Sequence, residues 1–236
     1  PYRRQRQMCI RDRTQYSDYM KSAKKSSSKD GAAMVIRVGK KIAAATEQYL
    51  RNNGLESEIK NFAWEFNLVN DPQVNAFCMP GGKIVVYEGL MQLVSSDDEL
   101  AVVVGHEVAH AVAKHSNERM SQQLMAQYGA QILGQALSNK SAAVQKIGAS
   151  VYGLGAQYGV MLPFSRKHES EADYMGLVFM AMAGYNPAVA VNFWQKMSAG
   201  KSGSTPEFMS THPSDATRIN EIKQHLPEIE KYRVKK

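Results

Sequence analysis

An α+β fold, mainly helical with a small sheet near its start, is what this chain of 236 residues predicts. Three observations carry that expectation. Alternating apolar and polar residues and a Pro-Gly-Gly turn are confined to residues 62–87. One segment of helical period lies before them. After Glu88 no strand signal recurs, and helix-start and helix-stop residues punctuate the rest.

The elements follow in order. Residues 31–51 place Val35, Val38, Ile42, Ala45 and Tyr49 on one helical face, with Asn53-Gly54 as the stop. Phe62, Trp64, Phe66 and Leu68 alternate with Ala63, Glu65 and Asn67, the pattern of a half-buried strand. Asn70-Asp71-Pro72 turns the chain. Residues 74–79 and 83–87 then form a hairpin across Pro80-Gly81-Gly82. Ser96 and Glu99 make a capping box for the next helix, and Asp97 and Asp98 favour the positive end of its dipole. Helix is expected onward to about residue 160, over 165–184 between Ser165 and Gly184, after Asn186-Pro187, and from about Ser214.

Chemistry enters in the helix opened by Ser96. Residues 100–113 lack proline and are almost wholly apolar, yet contain His106-Glu107-Val108-Ala109-His110. A helix turns ~100° per residue, so residues four apart share a face. His106 and His110 can therefore hold one zinc ion, and Glu107, slightly off that face, can take a proton from a water there. Ionisable groups in an apolar helix cost several kcal/mol unless something binds them. The alternative is a core helix with two chance histidines.

The 165–184 helix carries Glu169 and Asp173, again four apart. A catalytic zinc takes three protein ligands and leaves one position open, and two histidines with a glutamate are a standard set. Glu169 is the expected third ligand. Asp173 is the expected acceptor for the far nitrogen of a ligand histidine. Glu171 competes as ligand but lies ~200° round the helix and lacks a partner acid four residues on. A charged first turn facing water is the plain alternative.

His106-Glu107-x-x-His110 followed by Ser165-Arg166-x-x-Glu169-x-Glu171-Ala172-Asp173 resembles the gluzincin metalloproteases of the HtpX, BepA/LoiP and CAAX-prenyl-protease group, family forty-eight of the metallopeptidases. Asn75-Ala76-Phe77 with Pro80-Gly81-Gly82-Lys83-Ile84 and Gly89-Leu90 is similar to that family's hairpin before the zinc helix. Thr211-His212-Pro213 with Arg218-Ile219 is similar to its His-Pro segment. The spacing of His110 and His115 resembles the soluble, periplasmic branch. The likeness runs over roughly residues 32–226.

The resemblance implies a zinc-dependent metalloendopeptidase with one Zn2+ per chain, acting on polypeptides, misfolded envelope proteins among them. It implies a bacterial periplasmic or outer-membrane-associated setting, a role in envelope quality control and a possible peripheral membrane contact. It brings His212 and Arg218 to the site as catalytic residues beside Glu107. There His212 either donates to the developing oxyanion or, as in the soluble branch, fills the fourth zinc position. A surface His-Pro turn is the alternative. His115, His168 and His225 receive no role. The competing function is a zinc-stabilised chaperone or assembly factor with incidental proteolysis, against which an intact Glu107 argues.

Strand chemistry adds a substrate site. A protease that accepts many sequences must grip backbone, and a free strand edge offers rows of N–H and C=O. Residues 74–79 are the candidate edge, with Asn75, Ala76 and Phe77 as substrate-binding residues; an interior strand is the alternative.

Composition separates the chain in two. The net charge is +7, but residues 1–41 hold 12 of the 29 Lys and Arg against 3 of the 22 acids. Residues 1–30 read as a flexible basic arm, and 31–236 as a single catalytic domain. Residues 1–12 show no periodicity and are set aside as a candidate cloning or assembly scar. No stacking aromatic pattern supports nucleic-acid binding. Cys9 and Cys78 imply no disulfide framework. Residues 120–139 and 147–165 are uncharged, but glutamines interrupt the first and glycines crowd the second, so neither reads as a membrane span.

Overall fold

The computed structural model describes residues 16–115, 164–199 and 206–234. The uncharged stretch 120–139 and all but the last two residues of 147–165 lie outside them, as do residues 1–15.

Helix α1 (Lys29–Asn52) opens on Ser28, whose hydroxyl accepts the Gly31 N–H, and stops at Asn53-Gly54, where Gly54 takes φ 71°. Val35, Val38 and Ile42 are buried on its inner face. A short helix α2 (Glu56–Ile59) leads to strand β1 (Glu65–Val69). The expected strand from residue 62 thus begins three residues later. Phe62 and Trp64 stack flat on each other at 4.7 Å instead of alternating along a sheet.

Strands β2 (Ala76–Met79) and β3 (Lys83–Tyr87) form the expected hairpin, with Gly81 and Gly82 at φ 85° and 81°. A Cβ on Gly82 would also lie 2.6 Å from the Trp64 ring. Sheet order is β1-β3-β2, with β1 parallel and β2 antiparallel to β3. Residues 24–26 cover the outer edge of β1: Ser26 N–H donates to Leu68 C=O at 2.9 Å and Asn70 N–H to Lys24 C=O at 2.8 Å. Tyr16, Tyr19, Met20 and Ala23 pack on one face of the sheet around Val69 and Val85. Residues 16–28, expected in a flexible arm, are therefore folded onto the sheet, because its second apolar face needs a cover. The outer edge of β2 meets no strand among the described residues.

Helices follow: α3 (Glu88–Met91), α4 (Asp97–Val112), α5 (Arg166–Met182), α6 (Val189–Ala199), α7 (Glu207–Thr211) and α8 (Ala216–Ile229). The Ser96 hydroxyl accepts the Glu99 N–H, while the Glu99 carboxylate accepts from Ser95. Ser165 caps α5, and Gly184 beyond its end takes φ 87°. α4 is buried without a break from Leu100 to His110, wrapped by α1, β2, α5 and α6. Among the described residues no helix is long and apolar enough to cross a membrane.

Candidate metal centre

α4 supplies His106, Glu107 and His110, α5 supplies Glu169 and Asp173, the residue after α7 is His212, and α8 supplies Arg218. All seven are buried. One donor atom from each of His106, His110, Glu169 and His212 lies within 4.8 Å of the others. His110 Nε2 stands 3.0 Å from both His106 Nε2 and Glu169 Oε1. His212 Nδ1 stands 2.9 Å from Glu169 Oε1 and 3.3 Å from His106 Nε2.

These residues suit a zinc ion. Bonds of 2.0–2.1 Å in a tetrahedron set ligand atoms about 3.3 Å apart. The donor set is nitrogen and oxygen, dry, and aimed at one point. Two imidazole nitrogens facing each other at 3.0 Å share at most one proton between them and leave a carboxylate converging on the same spot. A cation resolves that crowding.

Glu107 flanks the cluster. Its Oε1 is buried without a hydrogen-bond partner among the described residues and lies 3.3 Å from His212 Nε2. Burial raises its pKa, offset in part by His212, His106 and the Cys78 backbone N–H. For Glu169 burial works the same way, but His106, His110 and His212 outweigh it and hold the carboxyl well below its ordinary range. Burial disfavours charge on His106, yet Glu169 and Asp173 raise it to about 9. Burial instead dominates at His110 and keeps it neutral.

Behind the donors sits a second layer. His106 Nδ1 is 2.9 Å from Asp173 Oδ1, the contact expected of that aspartate. Arg218 grips both Asp173 oxygens, Nη2 at 2.8 Å from Oδ1 and Nε on Oδ2, and Nη1 lies 2.8 Å from Glu169 Oε2. Its guanidinium stacks over Trp194 at 4.8 Å. Phe208 stacks on His212 at 4.3 Å and Phe164 on His110 at 4.1 Å.

Three placements bear on alternatives weighed in the sequence. His212 is 4 % exposed, not part of a surface turn. Glu171 stands outside the donor cluster, with Oε2 3.2 Å from His115 Nε2. His115, given no role, is 2 % exposed with Nδ1 2.9 Å from His110 Nδ1. A helix would carry a residue five positions on away from His110. The chain leaves α4 at Val112, and Lys114 in the left-handed region at φ 59° swings His115 back, which periodicity does not foretell. His225 stays apart, edge-on to Tyr174.

The hairpin meets this centre through β2. Tyr87 N–H donates to Asn75 C=O, so Asn75, Phe77 and Met79 face β3 in the ladder, and Ala76 and Cys78 present their N–H and C=O groups outward. The Ala76 N–H is held by Asn75 Oδ1 at 2.9 Å, and that of Cys78 reaches Glu107. Val74 C=O is already taken by the Phe208 N–H at 3.0 Å. The usable edge is therefore shorter than 74–79.

The family model of peptidase family M48 matches residues 37–226. The chain belongs to peptidase family M48. Its M48 relatives include the mitochondrial metalloendopeptidase OMA1 of Schizosaccharomyces pombe, 37% identical over 74% of this chain and 50% of that protein. The OMA1 of Arabidopsis thaliana is 40% identical over 71% of this chain and 33% of its own length. The beta-barrel assembly-enhancing protease of Yersinia pestis is 33% identical over 69% and 36%. The chain thus spans about half or less of the curated relatives it matches.

These M48 likenesses correct the expected setting. A bacterial periplasmic or outer-membrane-associated location does not stand, because the Schizosaccharomyces pombe and Arabidopsis thaliana mitochondrial proteins match at 37% and 40% identity against 33% for the assembly-enhancing protease. That expectation leaned on the spacing of His110 and His115, which records how two rings meet and carries no address. The HtpX and BepA likeness holds for the broader M48 family and does not fix a branch.

Proposed function

We propose that this chain is the catalytic part of a zinc-dependent metalloendopeptidase. The observation that carries the reading is the buried cluster of His106, His110 and Glu169 with Glu107 beside it, next to β2, whose outer edge meets no strand among the described residues. His106, His110 and Glu169 would hold the ion. When bound, zinc supplies Lewis acidity, polarising a carbonyl and acidifying water.

The chain's own residues do the rest. The outward C=O groups of Ala76 and Cys78 accept from the backbone of an extended polypeptide, and the Asn75 amide N–H donates to a substrate carbonyl. Glu107, its pKa raised by burial, accepts a proton from the attacking water and returns it to the leaving amine. Asp173 fixes the His106 tautomer. Arg218, committed to Asp173 and Glu169, positions ligands and does not touch substrate. His212 Nδ1 stands beside these donors and would serve as a fourth ligand, so substrate entry would need His212 to withdraw.

The fission-yeast and plant relatives, both mitochondrial metalloendopeptidases, support a mitochondrial-type endopeptidase acting on polypeptides. Digestion of casein by the purified chain tests the reading. Cleavage should stop with chelator and return with zinc; cleavage indifferent to chelator would overturn it.

A further inference from the structure

Building on the zinc assignment just made, we propose that His115 and Glu171 are positioning residues that fix the tautomer and tilt of His110. His110 presents Nε2 to the donor cluster, 3.0 Å from Glu169 Oε1. A nitrogen that faces a metal carries no proton, so the proton of His110 sits on Nδ1. The group 2.9 Å from that nitrogen is His115 Nδ1. His115 must therefore accept at Nδ1 and carry its own proton on Nε2. Nε2 is 3.2 Å from Glu171 Oε2, a carboxylate that accepts it. One arrangement of protons serves the whole line from Glu171 through His115 to His110.

The fold holds that line in place. His115 is 2 % exposed and stacks on His168 at 4.4 Å, which fixes its plane. The left-handed backbone at Lys114 is uncommon for a residue with a side chain, and it aims His115 at His110. The two histidine ligands are thus oriented differently: His106 by the carboxylate of Asp173, His110 by a neutral imidazole. A carboxylate is the stronger acceptor, so His110 depends more on fine placement.

Zinc affinity of the full chain, read by competition with a chromogenic chelator, tests this. His115→Leu should weaken zinc ~10–100-fold, the usual effect of losing such a partner. His115→Asn, whose Oδ1 offers an acceptor in place of Nδ1, should recover most of that loss. Glu171→Ala should cause a smaller loss that disappears in the His115→Leu background, since the two act in series. Equal affinity in wild type and His115→Leu, or equal losses in the Leu and Asn variants, would overturn the proposal. Should His115→Leu not fold, half-exposed Glu171 carries the test, and wild-type affinity in Glu171→Ala would overturn the line through it. A wild-type chain that binds no zinc would sink the zinc assignment itself, and this proposal with it.

Discussion

Gly105 and Gly176 press the backbones of α4 and α5 together. A Cβ on Gly105 would lie 2.9 Å from the Gly176 carbonyl oxygen, and one on Gly176 would lie 2.9 Å from the Gly105 carbonyl carbon. The contact sits one residue before His106 and three after Asp173. Neither neighbour is a movable side-chain tip, so a methyl group there must push the helices apart. Gly105→Ala or Gly176→Ala should cost about 1–3 kcal/mol in chemical denaturation and weaken zinc binding as well. Unchanged affinity in both variants would show that the crossing does not set the donor geometry.

Asp173 and Arg218 support the opposite side of the cluster. Asp173→Asn keeps the shape but not the charge that Arg218 and the His106 N–H both face. Zinc affinity should fall ~10–100-fold, measured by chelator competition, while the helical circular dichroism of the zinc-free chain changes little. An affinity equal to wild type would reduce Asp173 to a partner of Arg218 alone.

His212 stands with Nδ1 among the donors and its ring against Phe208. If it closes the site, His212→Ala should keep stoichiometric zinc and raise the rate of peptide cleavage. A fall in rate with zinc retained would instead assign it to the oxyanion, and loss of zinc would make it an essential ligand.

Ala76 offers a sharp test of the β2 edge. Its N–H points away from β3 and holds Asn75 Oδ1, so Ala76→Pro releases the Asn75 side chain from the substrate edge and spares the ladder. Cleavage of long peptides should be abolished while zinc content and helical signal persist. Undiminished cleavage would place the substrate elsewhere.

Much of the site was legible because it depends on short-range spacing. Residues 106, 107 and 110 needed only the helical period, and the caps at Ser96, Ser165 and Gly184 bound the helices that carry the chemistry. The expected contact between Asp173 and a ligand histidine likewise followed from one turn of helix. What escaped depends on long-range packing. Trp64 reads as a strand residue, but its ring is held by Phe62 and Gly82. Tyr16 lies in a basic, serine-bearing segment, yet its hydroxyl donates to Glu65 at 2.8 Å. His115 is aimed by a single left-handed residue that no apolar pattern announces.

The central claim is that Glu107 moves protons while His106, His110 and Glu169 hold the metal. Zinc content and casein cleavage, measured together on Glu107→Gln, Glu169→Ala and Glu171→Ala, test it most directly. The account predicts that Glu107→Gln keeps one zinc per chain and loses cleavage, that Glu169→Ala loses both, and that Glu171→Ala still holds zinc. Cleavage persisting in Glu107→Gln, or zinc retained by Glu169→Ala and released by Glu171→Ala, would contradict it.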